Sequence, residues 1–140
     1  MALPLIGKND FFVSYCDCIS DLDLDAFLEK HRSLGKQLTV AVTNPQSRYG
    51  HITCEGDLAV DMQEKPILRD IWINCGYMLF SPDGAERLLN ESTGGELESE
   101  YMPELAGKGE LAVYRHRGNW ANIETAKDVT GFERNNGRLV

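Results

Sequence analysis

The sequence has no apolar run that approaches the ~20 residues of a membrane-spanning helix. Its opening stretch, MALPLIG, is short and lacks the basic start of a signal peptide, so we expect a cytoplasmic protein. No C-x-x-C pair occurs in the sequence. This absence favours reduced thiols for the four cysteines, Cys16, Cys18, Cys54 and Cys75. For Cys16 and Cys18 we expect small buried hydrophobes and not a zinc site.

Positive charge is also scarce, with 14 Lys and Arg against 22 Asp and Glu and a formal net charge of −8. Because an acidic protein repels other polyanions, this balance argues against nucleic acid and anionic membranes as partners. The hydrophobic content of 42% is ordinary for a globular protein. We expect one domain over residues 1–140, and no internal repeat or linker is visible.

Four apolar runs predict the strands of a mixed α/β sheet with helices on both faces. They extend from Phe11 to Tyr15, from Leu38 to Thr43, from Trp72 to Phe80 and from Leu111 to Tyr114. A helix with apolar residues at helical spacing should end at Leu34, before Gly35, with His31 at the surface or the core edge. Glu55-Gly56-Asp57 predicts the turn of a hairpin, and another helix should follow Ser81-Pro82.

Three polar features of these runs point to a site at the strand ends. Asp17 follows the first run, where open α/β sheets collect ligands, and it is either a hard-cation ligand or a cap of the next turn. Asn74 interrupts the longest apolar run and therefore needs a hydrogen-bonding partner or a ligand. The basic triplet Arg115-His116-Arg117 is either a solvated strand end or an anion site.

Six short motifs, in this order, resemble the carboxyl-terminal half of the sugar-1-phosphate nucleotidylyltransferases, and within that family the glucose-1-phosphate cytidylyltransferases. They are YCDCISDLD from Tyr15, RYG from Arg48, QEKP from Gln63, WINCG from Trp72, YRH from Tyr114, and GNW from Gly118 with ET at Glu124. The motifs are distributed over nearly the whole chain.

The resemblance implies a three-layer, Rossmann-like sheet of the nucleotide-diphospho-sugar transferase type. It also implies a magnesium-dependent reaction, in which the phosphate of a sugar 1-phosphate attacks the α-phosphorus of a nucleoside triphosphate and pyrophosphate leaves. By the family's motifs, Mg²⁺ would be bound by Asp17 and Glu124. The sugar phosphate would pair with Lys65, its sugar hydroxyls would bond Glu64, and the sugar site would be lined by Asn74 and Gly76.

The chain departs from the family pattern at the same site. It has no glycine-rich G-G-x-G-T-R loop, and Cys16, Cys18 and Cys75 stand where the family has glycine. Glu124 replaces the family's aspartate. These changes favour a fold truncated at its amino-terminal side and inactive in isolation, with weak sugar-phosphate or nucleotide binding as its residual function. Mg²⁺ binding would be weak, and no other cofactor is expected.

Two alternatives stay open. The chain is half of a split magnesium-dependent sugar-1-phosphate nucleotidylyltransferase completed by a second chain, or it is a purely structural oligomeric remnant, such as a mobile-element product. In the full-length family, other strands would cover the strand from Phe11 to Tyr15. Without them we expect a homodimer through that edge, unless Leu3 to Ile6 folds back over it.

Overall fold

The computed structural model describes residues 8–91 and 96–134, which form eight strands, four α-helices and one π-helical turn. The strands are β1 (Phe11–Ser14), β2 (Cys18–Ser20), β3 (Leu38–Thr43), β4 (His51–Glu55), β5 (Leu58–Gln63), β6 (Ile73–Phe80), β7 (Leu111–Arg115) and β8 (Trp120–Asn122). The helices are α1 (Leu24–Leu34), α2 (Pro82–Glu91), α3 (Met102–Gly107) and α4 (Ala126–Arg134), and the π-helical turn (Leu97–Tyr101) precedes α3. The segment from Leu3 to Ile6 lies outside the described residues.

The central sheet has the strand order β1-β6-β3-β7. Strand β6 is antiparallel to β1 and β3, and β3 is parallel to β7, so β1, β3 and β7 share one direction. The carboxyl ends of these three strands therefore meet the amino end of β6 at one side of the sheet, which we call the carboxyl edge. This mixed sheet, built from the four apolar runs, confirms the predicted α/β fold.

Apolar clusters cover both faces of the sheet, because neighbouring residues of a strand point to opposite sides. On one face, Val40 and Val42 of β3 pack with Tyr101 and with Leu105 of α3. On the other face, Ala41 of β3 packs with Phe27 of α1. Helices on both faces make the three-layer arrangement that the sequence predicted.

Helix α1 begins after Asp23 and ends before Gly35, the residue predicted to follow it. The Asp23 side chain accepts a hydrogen bond from the Ala26 amide at 2.9 Å, and Gly35 has a left-handed φ of 59°. The position expected for His31 was wrong, because this residue is only 2% exposed. The Thr39 hydroxyl lies 2.7 Å from His31 Nδ1 and supplies the partner that a buried imidazole needs, and burial lowers the pKa of His31.

A second, small sheet was not predicted from the sequence. Strand β2 pairs with β8 through Cys18 opposite Asn122, Ile19 opposite Ala121 and Ser20 opposite Trp120. A strand of three residues is too short to show the alternation of apolar and polar residues by which strands are recognised in a sequence. Their pairing holds the residues after Asp17 against the residues before Glu124.

The third sheet is the predicted hairpin of β4 and β5, with Gly56 at a φ of 60° in the turn. Both strands are solvent-exposed along their whole length. The base of the hairpin is closed by a hydrogen bond of 2.9 Å from the Ser47 amide to the Pro66 carbonyl. Within residues 8–91 and 96–134, no helix is long and apolar enough to cross a membrane.

The buried ring of Phe27 provides a test of this packing. Its side chain is 0% exposed and lies 5.1 Å from the Tyr114 ring, centroid to centroid. Phe27→Ala should lower the free energy of unfolding by roughly 3–5 kcal/mol, because the surroundings cannot fill the cavity. Val129→Ala on the exposed side of α4 is the control and should change it by less than about 0.5 kcal/mol. Equal denaturant midpoints for the two variants would contradict this layer assignment.

Candidate functional site at the carboxyl edge

Asp17 lies in the turn that joins β1 to β2, beyond the carboxyl end of β1. Its backbone carbonyl accepts a hydrogen bond of 2.8 Å from the Ile123 amide, so the turn is tied to the end of β8. The carboxylate accepts a contact of 3.5 Å from the Cys18 thiol. The carboxyl group is thereby placed at the side of the sheet where a ligand site was predicted.

Cys18 covers the glycine that was predicted to line the sugar site. Gly76 has a φ of 83°, which favours glycine, and a Cβ built there would lie 2.7 Å from Cys18 Sγ. The thiol also lies 3.9 Å from Asn122 Oδ1. Cys18 therefore fills the space over Gly76 and links Asp17 to Asn122.

Asn74 has the hydrogen-bonding partner that the sequence demanded. Its side-chain oxygen accepts a bond of 2.8 Å from the Gly76 amide. The partner is local, since it lies two residues further along β6, and the bond orients the backbone around Gly76. Asn74 and Gly76 thus lie together, with Cys18 against them.

Glu124 belongs to the same network. One of its carboxylate oxygens accepts a hydrogen bond of 2.5 Å from the side-chain amide of Asn122, and the other pairs with Arg48 at 3.4 Å. The contacts run from Asp17 through Cys18 and Asn122 to Glu124. The two acids predicted for magnesium are therefore connected, although both Glu124 oxygens already have donors.

The donor types fit a magnesium ion in part. Mg²⁺ prefers oxygen, and proteins commonly give it one or two carboxylates while phosphate and water supply the rest. No cluster of three or more His, Cys, Asp or Glu side chains able to hold a metal occurs in the described part of the chain. Each Glu124 oxygen has one donor and keeps a lone pair for an ion, but an ion held there would lie near the positive charge of Arg48.

Glu64 and Lys65 follow the end of β5, and both side chains are exposed. Lys65 has a φ of 47°, and its carbonyl accepts a bond of 3.1 Å from the Gln46 side chain in the loop after β3. That bond joins Lys65 to the carboxyl edge of the sheet. Among the described residues, the Lys65 ammonium group has no ion-pair partner, so it is available to an anion.

A buried histidine positions the small sheet, and the sequence did not single it out for this role. His116 is 7% exposed, and its Nε2 lies 3.0 Å from Ser20 Oγ, 3.2 Å from Asp21 Oδ1 and 3.1 Å from the Asn119 carbonyl. The His116 amide also donates to the Val42 carbonyl at 2.9 Å. Because Ser20 and Asp21 share one ring nitrogen, this cluster ties β2 and β8 to β7 and is not a nucleophile-base relay.

The four cysteines are free thiols in two environments. Cys75 is buried and donates to the Ala41 carbonyl at 3.2 Å, and Cys18 is half-buried. Burial raises the pKa of both thiols to about 11. The expectation of a buried side chain was wrong for Cys16, which is exposed in the turn after β1, and Cys54 is exposed in the hairpin.

Comparison with known proteins identifies the family. The Nucleotidyl transferase family matches residues 2–135. The chain is 31% identical to the glucose-1-phosphate cytidylyltransferase of Salmonella typhi over 128 residues, which cover 90% of this chain and 49% of that protein. It is 33% identical to the mannose-1-phosphate guanylyltransferase catalytic subunit beta of Danio rerio over 140 residues, which cover 94% of this chain and 38% of that protein. The chain therefore belongs to the nucleotidyl transferase family.

A solved structure supports the fold. A Bacillus anthracis protein described as a glucose-1-phosphate thymidylyltransferase matches with a TM-score of 0.69 at 14% identity, covering 98% of this chain and 58% of that chain. The shared feature is the nucleotide-diphospho-sugar transferase fold. The chain spans about half the length of the cytidylyltransferase it matches.

The raised thiol pKa values predict an order of chemical modification. At pH 8, Cys18 and Cys75 should react with iodoacetamide roughly a hundredfold more slowly than an ordinary cysteine of pKa ~8.5, because the thiolate is the nucleophile. The exposed Cys16 and Cys54 should therefore be labelled first in peptide mapping by mass spectrometry. Denatured protein is the control, in which all four should react alike. Labelling of Cys18 as fast as Cys16 would contradict the covered position over Gly76.

Proposed function

We propose that this chain is a nucleotidyltransferase-like domain that binds a sugar phosphate weakly and does not catalyse nucleotidyl transfer by itself. The observation that carries this proposal is the contact network from Asp17 through Cys18 and Asn122 to Glu124. It gathers the predicted ligands at one edge of the sheet and at the same time fills the space over Gly76 with a thiol. A ligand that approaches this backbone must therefore displace a side chain.

The proposed ligand contacts divide between two strand ends. Lys65 would provide the charge for the sugar phosphate, because its ammonium group has no carboxylate partner in the described ranges. Glu64 beside it would accept hydrogen bonds from sugar hydroxyls. Asn74 and Gly76 would meet the sugar ring from the start of β6.

Asp17 and Glu124 would hold Mg²⁺, whose contribution when bound is to neutralise phosphate oxygens. Glu124 is already paired with Arg48, whose positive charge repels a second cation, and it is one methylene longer than an aspartate. Both effects weaken the site, since magnesium tolerates little deviation from its octahedral geometry. We therefore propose that sugar-phosphate affinity depends more on Lys65 than on the metal.

Catalysis needs charge stabilisation that these residues do not supply. Transfer between phosphates depends on donors placed around the reacting oxygens, and the sequence has no glycine-rich G-G-x-G-T-R loop to provide them. The proposal concerns the 140 residues alone. Their cytoplasmic location stays a prediction from the sequence.

Calorimetry with glucose 1-phosphate and Mg²⁺ tests the binding site. Lys65→Ala should weaken binding roughly tenfold, because it removes a charge-assisted contact with the phosphate. Lys30→Ala, at an exposed position of α1, removes the same charge elsewhere and should leave the affinity unchanged. If the sugar phosphate binds tightly and Lys65→Ala does not change its affinity, the binding site does not include Lys65. Pyrophosphate release from CTP and glucose 1-phosphate, abolished by Asp17→Ala, would show that the chain is catalytic after all.

A second candidate function rests on the position of β1. This strand is at one end of the sheet and pairs only with β6 in the described part of the chain. Phe12 on it is 42% exposed. Such an edge is a template for another strand, either from a second copy of the chain or from a chain that carries the glycine-rich loop. We propose the second copy as the partner of the isolated protein.

Sedimentation at micromolar concentration tests the edge. Ser14 is exposed on β1, whereas Val13 packs against the core, so Ser14→Lys adds a charge without breaking that packing. We expect the unmodified chain to sediment as a dimer and Ser14→Lys as a monomer. Ser33→Lys on α1 is the matched control and should keep the dimer. A monomeric unmodified chain would contradict dimerisation, and a dimer that survives Ser14→Lys would place the interface elsewhere.

A further inference from the structure

Two arginines lie over one tryptophan at the carboxyl edge. The Cζ atoms of Arg115 and Arg117 are each 5.5 Å from the centroid of the Trp72 ring. The two guanidinium groups therefore cannot be farther apart than twice that distance. Each gains from the negative face of the indole, but two positive groups near each other repel.

Neither guanidinium is neutralised by an acid. Arg32, Arg48 and Arg87 each pair with a carboxylate at 2.8 to 3.4 Å. Within residues 8–91 and 96–134, Arg115 and Arg117 have no carboxylate within ion-pair distance. The chain has a net charge of −8, so two arginines without an acidic partner form a locally positive surface on an acidic protein.

The scaffold under these side chains is well fixed. Arg115 is the last residue of β7, and the His116 amide between the two arginines donates to the Val42 carbonyl at 2.9 Å. Trp72 packs against the core and directly precedes β6. The loop before Trp72 is held by the side-chain amide of Asn44, which donates to the backbone carbonyls of Arg69 at 3.1 Å and Ile71 at 2.7 Å.

We propose that Arg115 and Arg117, held over Trp72, form a binding site for a phosphate or diphosphate group. The planar guanidinium matches phosphate oxygens with two hydrogen bonds, and a dianion offsets the repulsion between the two arginines. The proposal rests on Arg115, Arg117 and Trp72 and does not use the contact proposed for Lys65.

Intrinsic fluorescence and calorimetry with inorganic phosphate and pyrophosphate test the site, at ionic strength held constant with chloride. We expect saturable binding and a change in tryptophan emission that Trp72→Phe abolishes, since the remaining tryptophan, Trp120, donates to the Cys75 carbonyl in the core. Arg115→Gln with Arg117→Gln should weaken binding at least roughly tenfold. Lys127→Gln with Arg134→Gln removes equal charge from α4 and should leave binding unchanged.

The proposal would be overturned by the absence of saturable binding up to ~50 mM phosphate, by unchanged binding in the double arginine variant, or by an equal loss of binding in the α4 control. Arg117→Gln alone, at an exposed position after β7, is the second variant if the double variant fails to fold. Glucose 1-phosphate with Lys65→Ala separates the two sites. Phosphate binding that survives Lys65→Ala supports this site even where the sugar-phosphate proposal fails, and phosphate binding lost in Lys65→Ala alone overturns it.

Discussion

The pairing of β6 with both β1 and β3 is the constraint on which the candidate site depends. Because β6 runs against its two neighbours, its amino end meets their carboxyl ends. Asn74 and Gly76 are thereby brought to the side of the sheet where Asp17 follows β1. Without that reversal of direction, the sugar-site residues and the acid would lie at opposite ends of the sheet. The burial of Cys75, Met78, Leu79 and Phe80 holds the strand in this register.

The sequence was sufficient for the central sheet because its strands are strongly apolar and their ends carry clear signals. Trp72 to Phe80 and Leu38 to Thr43 could hardly be other than interior strands, and Asp23 and Gly35 mark the ends of α1. The small sheet of β2 and β8 could not be found in this way. Its pairing is set by contacts between distant residues, above all those of His116 with Ser20 and Asp21, and no local pattern encodes them.

The sequence motifs named candidate residues for the site, and their roles stay predictions, but the motifs could not give the contacts of these residues. Family motifs pointed to Asp17 and Glu124, yet they could not tell that Asn122 and Arg48 take both oxygens of Glu124. Replacement of glycine by cysteine indicated lost space beside Asp17. Only the fold shows that Cys18 uses this space to cover Gly76. The sequence gives the residue types, whereas the hydrogen-bond partners follow from the fold.

The distribution of charge links the fold to the proposed binding. Several basic residues, including Arg32, Lys36 and Arg87, are paired with acids away from the carboxyl edge. Lys65, Arg115 and Arg117 lack such partners in the described ranges, and all three lie on segments tied to the carboxyl edge. An acidic chain repels phosphates in general, so a phosphate would collect only where the positive groups are left unpaired. The carboxyl edge meets that condition through basic side chains from two separate segments, the one after β5 and the one at the end of β7. This grouping is visible in the structure and only hinted at by the basic triplet in the sequence.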